Sequence, residues 1–396
     1  MRIAFANWSN RLAGGAETYL QSTARYLATR GHSVSLWHQT ADPSDRPEIH
    51  LPFGAPRWDA CELGMQAALA GLRQWKPDVI YCQGMLDPHA EQQIQGIASS
   101  VFFAHNYHGL CISGGRTLHF PQAKPCEHVF GALCLARYYP RRCGGLNPLT
   151  MIHGYQINAE RLKTLRGYRA VVTHSTWVAE MYRNHGIACL QARYFVENDG
   201  SFSQREWMPA DHWRLLMMGR MAKGKGGAIL IDALPIAAER LDRSIVLTMA
   251  GDGDCREEWV LKAERMKRNN RGCDVEFPGW LSGNERARAL QATELLALPS
   301  VWPEPFGSVG LEAGFREVPS VAFAIGGIPD WLSEGVNGCV ADGNPPTASG
   351  LADAIVRCLG DIGRYKEMRR NAKKAAERLH IESHYDDIMR VFEGAV

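Results

Sequence analysis

Residues 1–37 read MRIAFANWSNRLAGGAETYLQSTARYLATRGHSVSLW, and the class of fold is decided here. Ile3-Ala4-Phe5-Ala6 is a short apolar run of the kind a buried strand requires. A turn-rich segment, residues 9–15, follows it. From Glu17 onward Tyr19, Leu20, Ala24, Leu27 and Ala28 recur at helical spacing, and Gly31 stands where a C′ glycine belongs. Val34-Ser35-Leu36-Trp37 reads as the next strand. Strand, helix and strand in this rhythm build a parallel, doubly wound sheet.

The rhythm continues outward, with a helix over 63–75 and strands over 78–81 and 101–104. It pauses in an insertion, residues 108–148, rich in Cys, Gly and Pro. It resumes with a helix ending near Leu165 and a strand over 170–173. The chain turns polar over 195–209, which places a domain boundary there: 1–200 and 201–396. A second series begins with a strand over 214–218 and a helix over 227–238. Strands over 245–250, 274–277 and 295–298 then alternate with helices over 256–267 and 284–291. A chain of 396 residues is long for one core, so two domains are the natural expectation. The expected architecture is α/β: two Rossmann-like, doubly wound parallel-sheet domains facing a cleft, the last helix packing back on the first domain. No internal repeat is evident.

Hydrophobic residues at 45% and charged residues at 22% are ordinary for a globular protein. A net charge of +2 argues against a strongly polyanionic partner such as nucleic acid. The charge is uneven: residues 1–200 carry 19 Lys and Arg against 14 Asp and Glu, and residues 116–169 carry nine basic residues against Glu127 and Glu160 alone. The N-terminus has no apolar run of signal-peptide length. The longest stretch without Asp, Glu, Lys or Arg, residues 92–115, is laced with Gln, His, Ser and Asn, unlike a membrane span. A cytoplasmic location is the expectation, and the eleven cysteines then read as thiols or metal ligands rather than disulfides.

In open parallel sheets ligands bind beyond the carboxyl ends of the strands, so the loops there carry the chemistry. Gly14-Gly15-Ala16-Glu17 joins the first strand to the first helix, where glycines permit close backbone approach and helix N–H groups face an anion. Gly219-Arg220-Met221-Ala222-Lys223-Gly224-Lys225-Gly226 follows another strand, and Arg220 and Lys225 could neutralise a diphosphate there. The third loop is Pro303-Glu304-Pro305-Phe306-Gly307-Ser308-Val309-Gly310-Leu311-Glu312-Ala313. Its prolines hold Glu304 in extended backbone. A helix is expected to begin near Gly307 or Ser308, with Ser308 as N-cap. Glu312, about 6 Å along that helix, could accept hydrogen bonds from a vicinal diol such as a ribose. Each of these features taken singly is more often a turn, a solvated basic loop or a surface acid.

Together the segments resemble glycosyltransferase family 4, a retaining group with the GT-B fold. Gly-Arg followed by Lys-Gly, then Glu-Pro-Phe-Gly with a second Glu eight positions after Glu304, carries the likeness. His105-Asn106, Asn198-Asp199-Gly200, Gly251-Asp252-Gly253 and Gly326-Gly327-Ile328-Pro329 fall where the family places similar pairs and turns. The resemblance implies roles. Gly15 would approach a donor diphosphate that Arg220 and Lys225 bind, beside Gly219. Glu304 would hold sugar hydroxyls, with the backbone of Phe306, Gly307, Ser308 and Val309 orienting sugar and phosphate. Glu312 would hold the ribose, the base would lie near Gly279-Trp280, and His105 would reach the reacting sugar. It further implies a metal-independent hexosyltransferase acting with retention. The donor would be a nucleotide-diphosphate sugar and the acceptor a glycan, lipid-linked or small molecule, in bacterial polysaccharide or glycolipid assembly. Asn106, Asp199 and Asp330 depart from the family's usual residues. A catalytically silent sugar-nucleotide-binding subunit and a GT-B epimerase are the alternatives.

Cys111, Cys126, Cys134 and Cys143 lie in the insertion. Their long spacings favour ordinary buried thiols, with a structural zinc site as the alternative. Arg137, Arg141, Arg142, Lys163, Arg166 and Arg169, interspersed with Leu133, Leu135, Tyr138 and Tyr139, could meet an anionic acceptor or make peripheral contact with an anionic membrane. A solvated helix face is the plainer alternative.

Overall fold

The computed structural model describes residues 1–12, 14–40, 46–196, 210–270 and 272–396. It divides into two compact units. One comprises Met1–Gly114, Glu127–Glu197 and His380–Val396, and the other Gly115–Cys126 and Asn198–Leu379. The Asn198-Asp199-Gly200 signature and most of the polar boundary segment lie outside the described residues.

The strands of the first unit are β1 (Arg2–Ser9), β2 (Ser33–Thr40), β3 (Arg57–Asp59), β4 (Val79–Gly84) and β5 (Ser100–Phe103). Two-residue strands β6 (Thr117–Leu118) and β7 (Lys124–Pro125) form an antiparallel hairpin counted in the second unit. β8 (Ala170–Thr173) and β9 (Cys189–Gln191) return to the first. Its sheet runs β3-β2-β1-β4-β5-β8-β9, parallel throughout. Ile3 pairs with Val34 and Val79, and Phe5 with Leu36 and Tyr81, so the apolar run that opens the chain fills the centre of the sheet. Helix Gly15–Thr29 lays Tyr19, Leu20, Ala24 and Leu27 on that core. Gly31 follows it with φ +87°, the left-handed ending its position implied.

Helix Ile381–Ala395 belongs to the same unit. Ile388 and Phe392 sit in its core, Phe392 edge-on to Tyr81 with ring centroids 5.0 Å apart. Truncating a fully buried phenylalanine costs about 3–5 kcal/mol, so Phe392 anchors the end of the chain to this sheet.

The second unit carries β10 (His212–Met218), β11 (Ser244–Ala250), β12 (Cys273–Gly279), β13 (Leu295–Leu298), β14 (Ser320–Phe323) and β15 (Gly338–Ala341). They order as β12-β11-β10-β13-β14-β15, again all parallel. Its core joins Leu215 and Leu247 of the sheet to Leu230, Leu234, Leu351 and Ile355 of the covering helices.

The expected strands and helices are present, with ends shifted by at most three residues. Helices Pro88–Gln95 and Thr176–Asn184 and strands β3 and β9 had no clear sequence signal. Pro88–Gln95 is mostly polar, and caps define these helices better than periodicity: Asp87 accepts from His89 N at 2.9 Å and Ser175 from Val178 N at 3.2 Å. The insertion is not featureless either, since it holds the small hairpin and helix Leu133–Tyr138.

Candidate functional site

The strand order of the second unit reverses between β10 and β13, the switch point at which open α/β sheets bind ligands. The loops after these two strands are 219–226 and 299–308. Met221 N donates to Asp252 O at 2.8 Å, tying the first loop to the Gly251-Asp252-Gly253 turn. A 3₁₀ turn, Lys223–Lys225, then ends on Gly226, whose φ is +70°. A Cβ there would come within 1.8 Å of Pro299 O, so only glycine lets the loops touch. Gly224 O accepts from Val301 N (2.9 Å) and Trp302 N (3.1 Å), completing the join.

That join brings Lys225 to Glu304. Nζ donates to Glu304 Oε1 at 2.6 Å, and Ser300 Oγ donates to the same oxygen at 2.5 Å. Glu304 is 6% exposed, and a carboxylate so far out of water needs these partners. The ammonium also lies 5.2 Å from the Trp302 ring centroid, a cation–π distance. The Glu304 carbonyl accepts from Gly327 N at 2.7 Å, so the Gly-Gly-x-Pro turn fixes the backbone behind the carboxylate. Phe306 is buried, and its carbonyl accepts from Trp331 Nε1 at 2.7 Å.

Helix Val309–Phe315 starts one or two residues later than the sequence implied. Ser308 is not a side-chain cap: its φ/ψ of −53°/−24° is already helical, and its hydroxyl makes no capping bond. Its carbonyl instead receives Leu311 N and Glu312 N. Gly307 has φ +81°, and Gly310 packs under Trp331. Glu312 is half-buried and ion-paired with Arg286. Gly219 and Gly279 both have positive φ, at +137° and +83°. Trp280 is 71% exposed. Arg220 is exposed, and its side chain has no ion-pair partner among the described residues.

In the first unit, Gly14 precedes helix Gly15–Thr29 in extended backbone, and a Cβ on Gly15 would meet nothing within 4 Å. Glu17 is buried and accepts from Trp8 Nε1 at 2.9 Å. His105 follows β5, and its Nε2 is 2.7 Å from Gln83 Oε1. Burial pushes the His105 imidazole down to about 3 and His384 down to about 4, and lowers His174 well below the usual histidine range. All three rings are therefore neutral at physiological pH.

The four insertion cysteines are partly exposed rather than buried. No three His, Cys, Asp or Glu among the described residues gather as a metal-ligand set. Tyr138 is buried and Leu135 half-buried. Between residues 129 and 152 the exposed large apolar side chains are Val129, Leu133, Tyr139, Leu146, Leu149 and Ile152. Arg142, Lys163, Arg166 and Arg169 are exposed nearby in sequence. Among the described residues no helix is long and apolar enough to cross a membrane.

Ser300, Trp302, Arg286 and Gln83 had drawn no notice in the sequence. Ser300 and Trp302 lie in the loop that carries Glu304, but nothing local marks a serine or tryptophan as a carboxylate's or lysine's neighbour.

Two family profiles match the chain: "Glycosyltransferase Family 4" over residues 13–190 and "Glycosyl transferases group 1" over residues 201–375. An uncharacterized glycosyltransferase of Methanocaldococcus jannaschii is 30% identical over 164 residues, 41% of this chain and 40% of that protein. The chain thus aligns with about two fifths of that relative's length. The D-inositol 3-phosphate glycosyltransferase 1 of Catenulispora acidiphila is 24% identical over 97% of this chain and 91% of its own. Among solved structures, Anabaena HepE in complex with UDP and glucose superposes with a TM-score of 0.69 at 20% identity, covering 99% of both chains. With two parallel-sheet units and a family-profile match in each, the chain has the GT-B fold and belongs to glycosyltransferase family 4.

Proposed function

We propose that this protein is a retaining, metal-independent hexosyltransferase. It would transfer sugar from a nucleoside-diphosphate donor to a glycan, lipid-linked or small-molecule acceptor, in bacterial polysaccharide or glycolipid assembly. The observation that carries the reading is the pairing of Lys225 with the buried Glu304 at the switch point of the second sheet. Cleaving a glycosyl diphosphate builds negative charge on the leaving group and positive character on the ring. Lys225 and the exposed Arg220 supply cations for the former, the task a divalent metal performs elsewhere. Glu304 accepts from sugar hydroxyls, and the backbone of Phe306, Gly307, Ser308 and Val309 orients sugar and phosphate. Glu312 takes the ribose, Gly279 and Trp280 receive the base, and Gly219 and Gly15 admit the diphosphate. The first unit contributes His105 as a neutral acceptor for a sugar hydroxyl. Lacking an evident protein nucleophile, the reaction would retain configuration by front-side substitution.

HepE's complex with UDP and glucose favours a uridine donor as the first to try. In a thermal-shift screen of UDP-, GDP- and ADP-sugars, a bound donor stabilises the fold by mass action. Silence across all three series would overturn the reading. NMR of the product anomer tests the stereochemistry, and inversion would remove the retaining mechanism.

The exposed apolar residues 129–152 with their basic neighbours support peripheral contact with an anionic membrane. Co-sedimentation should favour anionic over neutral vesicles, and equal binding to both would count against it.

A further inference from the structure

We infer that a one-directional hydrogen-bond chain through His384, Tyr19 and Tyr81 orients the neighbouring Gln83 amide, and that Gln83 so holds His105 as its Nε2–H tautomer and leaves Nδ1 as an acceptor. This rests on the proposed role of His105 only for its consequence in catalysis.

The direction is set at the far end. His384 Nδ1 lies 2.6 Å from Arg193 O, and a carbonyl can only accept, so Nδ1 carries the proton. Neutral His384 then offers Nε2 as an acceptor, and Tyr19 Oη, 2.7 Å away, donates to it. Having spent its one proton, Tyr19 Oη accepts from Tyr81 Oη at 2.6 Å. Tyr81 has spent its proton too. Its oxygen can then only accept, and Gln83 Nε2, buried and making no hydrogen bond of its own, is the donor beside it. Tyr81 and Gln83 are two residues apart on β4, hence on one face of the sheet. With its amide N–H turned to Tyr81, Gln83 presents Oε1 to His105, 2.7 Å from Nε2. An amide oxygen only accepts, so His105 Nε2 is the protonated nitrogen.

Tyr19 and Tyr81 are fully buried, and His384 and Gln83 nearly so, so water does not compete for these bonds. The four are positioning residues: none is placed on the substrate, yet they decide which imidazole atom can take a hydroxyl proton. The chain also gives helix Ile381–Ala395 a task beyond packing, since His384 is the residue that starts the ordering.

The test is the tautomer of His105, read in long-range ¹H–¹⁵N spectra of the full chain labelled in histidine, with His105 assigned by its loss in His105→Asn. The expected wild-type pattern is protonated Nε2 and bare Nδ1. Tyr19→Phe keeps the ring and removes the hydroxyl, releasing Tyr81 to donate elsewhere. His105 should then populate the Nδ1–H form, and His384→Leu should do the same. His384→Gln, whose amide oxygen can replace Nε2 as acceptor, should restore the wild-type pattern. Cleavage of UDP-glucose should fall about tenfold in kcat with little change in KM for Tyr19→Phe and His384→Leu, the scale of a misplaced catalytic group. A wild-type Nδ1–H tautomer, or an unchanged tautomer in both variants, would overturn the chain. A shifted tautomer with unchanged cleavage upholds the chain and removes His105 from the reaction instead.

Discussion

Lys225 and His105 both follow strands of parallel sheets, yet their surroundings differ in kind. Around Lys225 the second unit gathers opposite charges: its own ammonium on Glu304, with Ser300 on the same oxygen, and Arg286 on Glu312. Around His105 the first unit gathers rings and hydroxyls without net charge, and burial keeps His105, His174 and His384 neutral. Fixed charges suit a diphosphate, whose own charge offsets their desolvation. Neutral hydrogen bonds suit a sugar's hydroxyls, which must be oriented without being ionised. On the proposed function, the second unit supplies cations for the leaving group and Glu304 for sugar hydroxyls, while the first supplies a neutral imidazole, and the difference can be broken experimentally.

The largest effect is expected from Lys225→Ala. It removes a cation from the developing charge and strands a buried carboxylate, so kcat for donor cleavage should fall by about 10³-fold. A drop below about tenfold would deny the charged half its role.

Acid should act on the neutral half. His384 is depressed by burial to about 4, against 6.5 unfolded, with Asp387 partly opposing the shift and Arg193 acting in both directions. A depressed histidine leaves stability intact above pH 6.5. As pH falls below that, the unfolded chain binds the proton first, so stability is lost progressively down to about pH 4. His384 alone accounts for about 3 kcal/mol across that window. Denaturant titration of wild type and His384→Gln between pH 7 and pH 4 should show a shallower decline in the variant, and identical slopes would contradict the neutral imidazole.

Gly226→Ala should cost about 2 kcal/mol or more in unfolding free energy, through positive φ and the close approach of Pro299 O. The loss should be independent of pH over the same range, which separates it from the histidine effect. Trp280→Ala should be mildest. On an exposed side chain at the proposed base site it should raise donor KM by about tenfold, the scale of one stacked base, with kcat little changed.

The sheet architecture was legible because β1, β10 and β13 are apolar runs set between helical periodicities. The insertion was not. Its hairpin and six-residue helix lack periodicity, and Gly115–Cys126 falls in a different unit from the residues on either side of it. In the candidate site, Glu304, Lys225 and Glu312 were visible as charges in glycine- and proline-marked loops. What completes them was not. Arg286 lies 26 residues from Glu312, and His384 lies 365 residues from Tyr19. Such pairings arise from topology, and a single sequence carries no local trace of them. Ser308 failed for another reason: after Gly307 at positive φ its own backbone is already helical, so its hydroxyl makes no capping bond.

The central claim is tested most directly by release of nucleoside diphosphate from UDP-, GDP- and ADP-sugars, wild type beside Lys225→Ala, without acceptor. The expected result is slow release from one series by the wild type, abolished in the variant. Equal release by both proteins, or none from any series, would contradict a donor site built on Lys225 and Glu304.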